Sequence, residues 1–156
     1  MPAASPTTRI RLLLAAITVA GPMGRTGFAP IPGRLLAALC FLYAAWAGLA
    51  GVRRLGRQLT PMPIPKAEGE LITAGIYARL RHPLYASTMA LGLGWALGWS
   101  SPTALGLAAV LAGWLHFKAR FEETFLQARF PGYADYARRV PRYFPRPFHR
   151  QATHQS

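Results

Sequence analysis

Residues 75–103 read GIYARLRHPLYASTMALGLGWALGWSSPT. Arginines at 79 and 81 and a histidine at 82 give way to Pro83, and the 18 residues from Leu84 to Ser101 carry no charge. That length approaches what a helix needs to cross the hydrocarbon core of a bilayer. Pro83 suits the first turn of a helix, where its missing N–H costs nothing. Arg79, Arg81, Tyr77 and Tyr85 match the basic and aromatic anchoring of a membrane boundary. His82 is left unexplained by this. A residue before proline is pushed toward extended backbone, so its imidazole can be aimed. The helix start beyond it offers N–H groups and a positive dipole end to an anion.

A second uncharged run, Leu35 to Val52, also has 18 residues. Thr103 to Phe117 follows the turn Ser100-Ser101-Pro102 and reads as the return arm of a hairpin. Leu12 to Met23 is shorter, bracketed by Arg11 and Arg25 and ended by Gly21-Pro22. It spans only if the arginines snorkel, and it also fits the core of a cleaved signal peptide. Together the runs predict an all-α fold, an integral membrane helical bundle of about four transmembrane helices with a cytoplasmic C-terminal segment. A single domain over residues 1–156 then holds an N-terminal helical hairpin at 9–52 and the motif-bearing region at 71–145.

Composition agrees. The chain is 52% hydrophobic and 15% charged, and its 18 basic residues face five acids, for a net charge of +13. The basic residues lie between apolar runs instead of across one polar face, which points to a membrane and away from nucleic acid. Two Lys or Arg precede the first run, two lie in the first loop, six in the second, none in the third and eight after Phe117. With both termini cytoplasmic, 16 of the 18 fall on one side. The arginine-rich composition and small size fit a prokaryotic cytoplasmic membrane. Cys40 is the single cysteine and forms no internal disulfide. Neither a metal site nor an obligate protein partner is expected.

Two of the five acids are adjacent, Glu122 and Glu123 in KARFEETFL, residues 118–126. On a continuing helix they point about 100° apart. Pairing of Lys118 with Glu122 and of Arg120 with Glu123 would explain them locally. A site for a cationic ligand, or for Arg81, would explain them functionally. The spacing leaves both open. Ala90, Gly94 and Gly98, with Gly92 between, read as a helix-packing face. Trp46, Trp95, Trp99 and Trp114 read as interfacial or packing residues. His116 reads as a packed polar residue, with a proton acceptor as the second reading.

The ordered set Gly75-x-Tyr77-x-x-x-Arg81-His82-Pro83-x-Tyr85, then Leu93-Gly94-Trp95, Ser101-Pro102-Thr103, and Glu122-Glu123 followed by Leu126, Phe130, Tyr133 and Tyr136 resembles the isoprenylcysteine carboxyl methyltransferase and phosphatidylethanolamine N-methyltransferase superfamily. Members often carry proline where Ile76 stands. The resemblance covers residues 71 to 145 and implies an integral membrane enzyme using S-adenosylmethionine. It implies a cofactor pocket at the cytoplasmic face formed by Tyr77, Arg81, His82, Pro83, Tyr85, Gly94, Glu122 and Glu123. Arg81, Glu122 and Glu123 are then the catalytic candidates. The acceptor is a lipid or lipophilic molecule methylated on a carboxylate or an amine. A glycine-rich strand-to-helix turn, which a soluble methyltransferase would need, is absent from the sequence. Two other classes remain open. A membrane reductase of the sterol type using NADPH would have Asn-Tyr and a following Glu where Leu84 and Ala86-Ser87 stand. A non-enzymatic binder of anionic lipid would use the tail RRVPRYFPRPFHR but leaves Glu122-Glu123 without a purpose.

Overall fold

The computed structural model describes residues 5–27, 30–55 and 71–145. Arg57 and Lys66 of the basic loop and Arg146 and Arg150 of the tail lie outside the described residues. Within them all regular structure is helical: α1 (Pro6–Met23), α2 (Ile31–Leu55), a 3-10 turn (Gly75–Ala78), α3 (Pro83–Gly98), α4 (Pro102–Arg129) and α5 (Tyr133–Arg139).

α2 has the length and composition of a membrane crossing: 25 residues with a mean hydropathy of 2.0, roughly 37 Å of helix against a core of about 30 Å. Leu35, Leu39, Leu42 and Leu49 on it are each more than half exposed, an apolar face too large for water. Its buried face is made of Ala37, Ala44, Ala47 and Gly51. Small residues there let α3 come close, and Ser87 of α3 donates to the Ala44 carbonyl at 2.8 Å. α3 itself has 16 residues, so α2 alone among the described helices meets both the length and the hydropathy of a crossing.

α1 is longer than its apolar run because Ser5 caps it, accepting from the Thr8 N–H. Pro22 sits within the last turn without breaking it. Its missing N–H leaves the Thr18 carbonyl free, and Trp95 Nε1 donates to that carbonyl at 3.3 Å. Gly21 makes the approach possible, because a Cβ there would lie 2.3 Å from Trp95 Nε1. Trp95 is thus a packing residue joining α1 to α3.

Ser101 caps α4 through the Ala104 N–H and donates to the Ala20 carbonyl at 2.8 Å. At the other end Arg9 lies over the Trp114 ring, so α1 and α4 run antiparallel. Gly51 near the end of α2 meets Pro83 and Leu84 at the start of α3. The starts of α1 and α3 and the ends of α2 and α4 therefore share one end of the bundle. The hairpin expected at 9–52 is not a closed one: α1 packs chiefly on α4 and α3, and α2 on α3 and the 3-10 turn. The small-residue stripe of α2 finds its complement on α3, and Ile17 of α1 finds Ala104, Ala108 and Leu111 on α4.

Gly94, expected at the cofactor site, faces α2. A Cβ at Gly94 would come 3.0 Å from Cys40 Cβ and 3.2 Å from the Ala37 carbonyl oxygen. It lies about three turns of helix beyond Pro83, at the close contact of α3 with α2. Gly94→Ala is expected to lower thermal stability in detergent by about 1–3 kcal/mol through overpacking. Parental stability would contradict the close contact of α3 with α2.

Candidate active site

The site is assembled where the C-terminal segment crosses the start of α3. The Arg81 N–H donates to the Pro141 carbonyl at 2.9 Å and the His82 N–H to the Arg142 carbonyl at 3.0 Å. The Tyr136 hydroxyl of α5 donates to the Tyr77 carbonyl at 2.7 Å, and Tyr43 of α2 donates to the Tyr143 carbonyl. These bonds leave His82 at φ −126°, ψ 63°, less extended than its place before proline suggests. Its ring makes no cap for α3. It reaches across to α4 instead.

α4 runs without interruption through both glutamates, and the two point to different surroundings. Glu123 is 4% exposed. Its Oε1 meets Arg81 Nη1 at 2.9 Å and His82 Nε2 at 3.1 Å, and Oε2 meets Arg142 Nη2 at 2.7 Å. Arg142 Nε adds contacts at 3.0 and 3.2 Å, so this carboxylate is fully engaged. Burial pushes its carboxyl up, but hydrogen bonds from His82 and Arg142 and the charge of Arg81 outweigh burial and hold it at about 2 instead of 4.5.

A depressed carboxyl stabilises the fold above its unfolded value and loses that contribution as pH falls through its folded value. The contribution of Glu123 to stability in detergent, about 3 kcal/mol, is therefore expected to be lost as pH drops from about 4.5 toward 2. Glu123→Gln should abolish that loss. An equal slope in parent and variant would contradict the ion cluster.

Glu122 is held differently. Its Oε1 accepts from the Tyr85 hydroxyl at 2.5 Å and pairs with Lys118. Its Oε2 is 3.9 Å from His82 Nδ1, beyond hydrogen-bond distance, so this oxygen keeps capacity for another donor. The His82 ring stacks on Tyr85 at 5.3 Å and 5°, and Lys118 Nζ lies 5.0 Å over the Tyr85 ring. The Tyr143 ring completes the wall, 6.4 Å from His82 and 6.1 Å from His116.

The structure thus brings Arg81, His82, Tyr85, Glu122 and Glu123 together around Pro83, the first residue of α3. Tyr77 adjoins them from the α2 side, its ring packed with Ala47, Ile76 and Leu80. The local pair Lys118–Glu122 is present, whereas Glu123 turns away from Arg120 toward Arg81, His82 and Arg142. Arg142 and Tyr143 were missed as site residues. A buried carboxylate between one arginine and one histidine called for a further cation, and the basic run at 138–142 was where to look. Among the described residues no group of three or more His, Cys, Asp or Glu is placed to hold a metal ion.

This joining of the Arg-His-Pro helix start to a paired glutamate lies largely within the stretch that matches a family model. The phospholipid methyltransferase model matches residues 33–132. The chain belongs to the phospholipid methyltransferase family. The match runs from the start of α2 through the end of α4, leaving Arg142 and Tyr143 outside it. Among curated proteins, this family member is similar to the cobalt-zinc-cadmium resistance protein CzcN of Cupriavidus metallidurans, 34% identical over 128 residues, or 72% of this chain and 59% of the relative. It is also similar to the nickel-cobalt-cadmium resistance protein NccN of Alcaligenes xylosoxydans xylosoxydans, 42% identical over 79 residues, or 49% of this chain and 37% of the relative. The chain therefore spans 59% and 37% of these two proteins.

Proposed function

We propose that the chain is a membrane-embedded methyltransferase that uses S-adenosylmethionine to methylate a carboxylate or an amine on a lipid or lipophilic small molecule. The observation that carries this reading is the convergence of Arg81, His82 and Tyr85 with Glu122 and Glu123 at one end of the bundle, in a chain of this family. The bundle crosses the membrane with about four helices, and its site-bearing end faces the cytoplasm, as the distribution of basic residues favours. The names of the two relatives speak of metal resistance. Here the two carboxylates are occupied by Arg81, Arg142 and Lys118, cations that would repel a metal ion.

The donor set fits S-adenosylmethionine. Arg81 Nε and the Tyr133 hydroxyl are buried and make no hydrogen bond of normal geometry among the described residues, with the Arg81 guanidinium close enough to that hydroxyl to act on it. A buried polar group without a partner is costly, and an anionic carboxylate satisfies both. Arg81 and Tyr133 would hold the amino-acid carboxylate of the cofactor. Glu122 Oε2 would accept from its ribose hydroxyls, since Lys118 already neutralises this glutamate and leaves little attraction for a second ammonium. The His82–Tyr85 stack offers a flat apolar face for an aromatic base. When bound, the cofactor supplies an electrophilic methyl on a sulfonium. The protein's part is to hold the two reactants in line and to exclude water. Glu123 serves that part by fixing Arg81, His82 and Arg142 in one arrangement.

Calorimetry on detergent-purified protein tests this reading. S-adenosylhomocysteine is expected to bind and NADPH to leave no heat. The reverse pattern would favour the reductase reading, and binding of neither would leave a lipid-binding protein.

A further inference from the structure

His116 stands in WLHF, residues 114–117, in an uncharged stretch of α4, and none of the ion pairs described above uses it. It lies seven residues before Glu123, on the same face of the helix. That places it about 10 Å from the charged cluster, toward the middle of the bundle. His116 is partly exposed, and Phe117 beside it is 70% exposed, so this point lies at the apolar edge of the bundle. Its Nδ1 is 3.4 Å from the Tyr143 hydroxyl, and the Tyr143 ring connects it to His82.

Resting on the methyltransferase reading, we infer that His116, oriented by Tyr143, is the proton acceptor for a methyl acceptor that arrives protonated, a lipophilic amine. With Nδ1–H donating to the Tyr143 oxygen, the lone pair of Nε2 is left to accept a proton. An ammonium group brought to Nε2 loses one N–H bond. The electron pair of that bond stays on the amine nitrogen, an Nε2–H bond forms and the imidazole becomes imidazolium. The neutral amine then holds the lone pair that methylation consumes. A carboxylate has no proton to give up and makes no use of this residue. The surroundings agree with a cationic visitor. The Tyr143 ring offers a face that attracts an ammonium, and His116 stands about two turns of helix away from the charged cluster.

The test uses full-length protein in detergent with isotope-labelled histidine, the His116 ring signal being assigned by its loss in His116→Gln. N-methyldodecylamine is expected to shift that signal and dodecanoate to leave it in place. His116→Gln should bind S-adenosylhomocysteine as the parent does and methylate N-methyldodecylamine about a hundredfold more slowly, the lower end of what a positioned base contributes. Should His116→Gln fail to fold, His116→Asn carries the test, with a slower transfer and unchanged S-adenosylhomocysteine affinity. A parental rate in the folded variant, or a His116 signal that answers to dodecanoate and ignores the amine, would overturn the inference and leave the methyltransferase reading standing. Failure of the parent to bind S-adenosylhomocysteine would overturn both.

Discussion

Glu123→Gln is expected to destabilise the protein by about 3–5 kcal/mol, the scale for removing one partner of a buried ion cluster. The carboxylate serves Arg81, His82 and Arg142 at once. Arg81 has a side chain only 10% exposed and cannot turn to water when its partner becomes neutral. Arg142, at 34%, can. The loss therefore falls mainly on the start of α3, and the C-terminal segment keeps its backbone bonds to Arg81 and His82 while losing its ionic anchor. A total stability of about 5–15 kcal/mol makes a loss of this size plain in thermal unfolding. A change below about 1 kcal/mol, the range of an exposed pair, would mean that Glu123 is not the centre of the cluster.

Glu122→Gln is expected to act on the ligand more than on the fold. Among the described residues this glutamate pairs with Lys118, and the nearest donor to its Oε2, His82 Nδ1 at 3.9 Å, is beyond hydrogen-bond distance. If Oε2 receives the cofactor's hydroxyls in a partly desolvated site, neutralising it should weaken S-adenosylhomocysteine binding by about 2–5 kcal/mol, roughly 30- to 5,000-fold. The two substitutions thus separate: Glu123→Gln loses stability first, and Glu122→Gln loses affinity in a protein that still unfolds cooperatively. Parental affinity in Glu122→Gln, with the loss appearing in folded Glu123→Gln, would exchange their roles.

Much of the helical framework was legible in the residues. Pro83 and Pro102 marked two helix starts, and the uncharged run at 35–52 marked the one apolar helix of membrane length among the described residues. The convergence of Arg81, His82 and Glu123 was open to reading too, because a histidine before proline and a paired acid at a helix end both demand partners. Other features were not. Pro22 looked like a helix breaker, because nothing local reveals that Trp95, 73 residues later, supplies the bond that proline cannot. That Gly94 admits α2 was hidden as well, because a glycine in a motif does not say which neighbour it admits. Arg142 was hidden in a basic run, where each arginine has the same local chemistry and only the tertiary path of the segment selects one.

Labelled-methyl transfer is the direct assay of the proposed methyltransferase activity. Membranes from cells carrying the parent chain, from cells carrying Glu122→Gln and from cells lacking the chain would be incubated with S-adenosylmethionine labelled with tritium on its methyl group. The label would then be counted in the organic extract. Native membranes supply the acceptor without its being known. The expected result is extractable label that depends on the parent chain and falls sharply in Glu122→Gln. Equal label in all three membranes, with the parent chain present and folded, would contradict it.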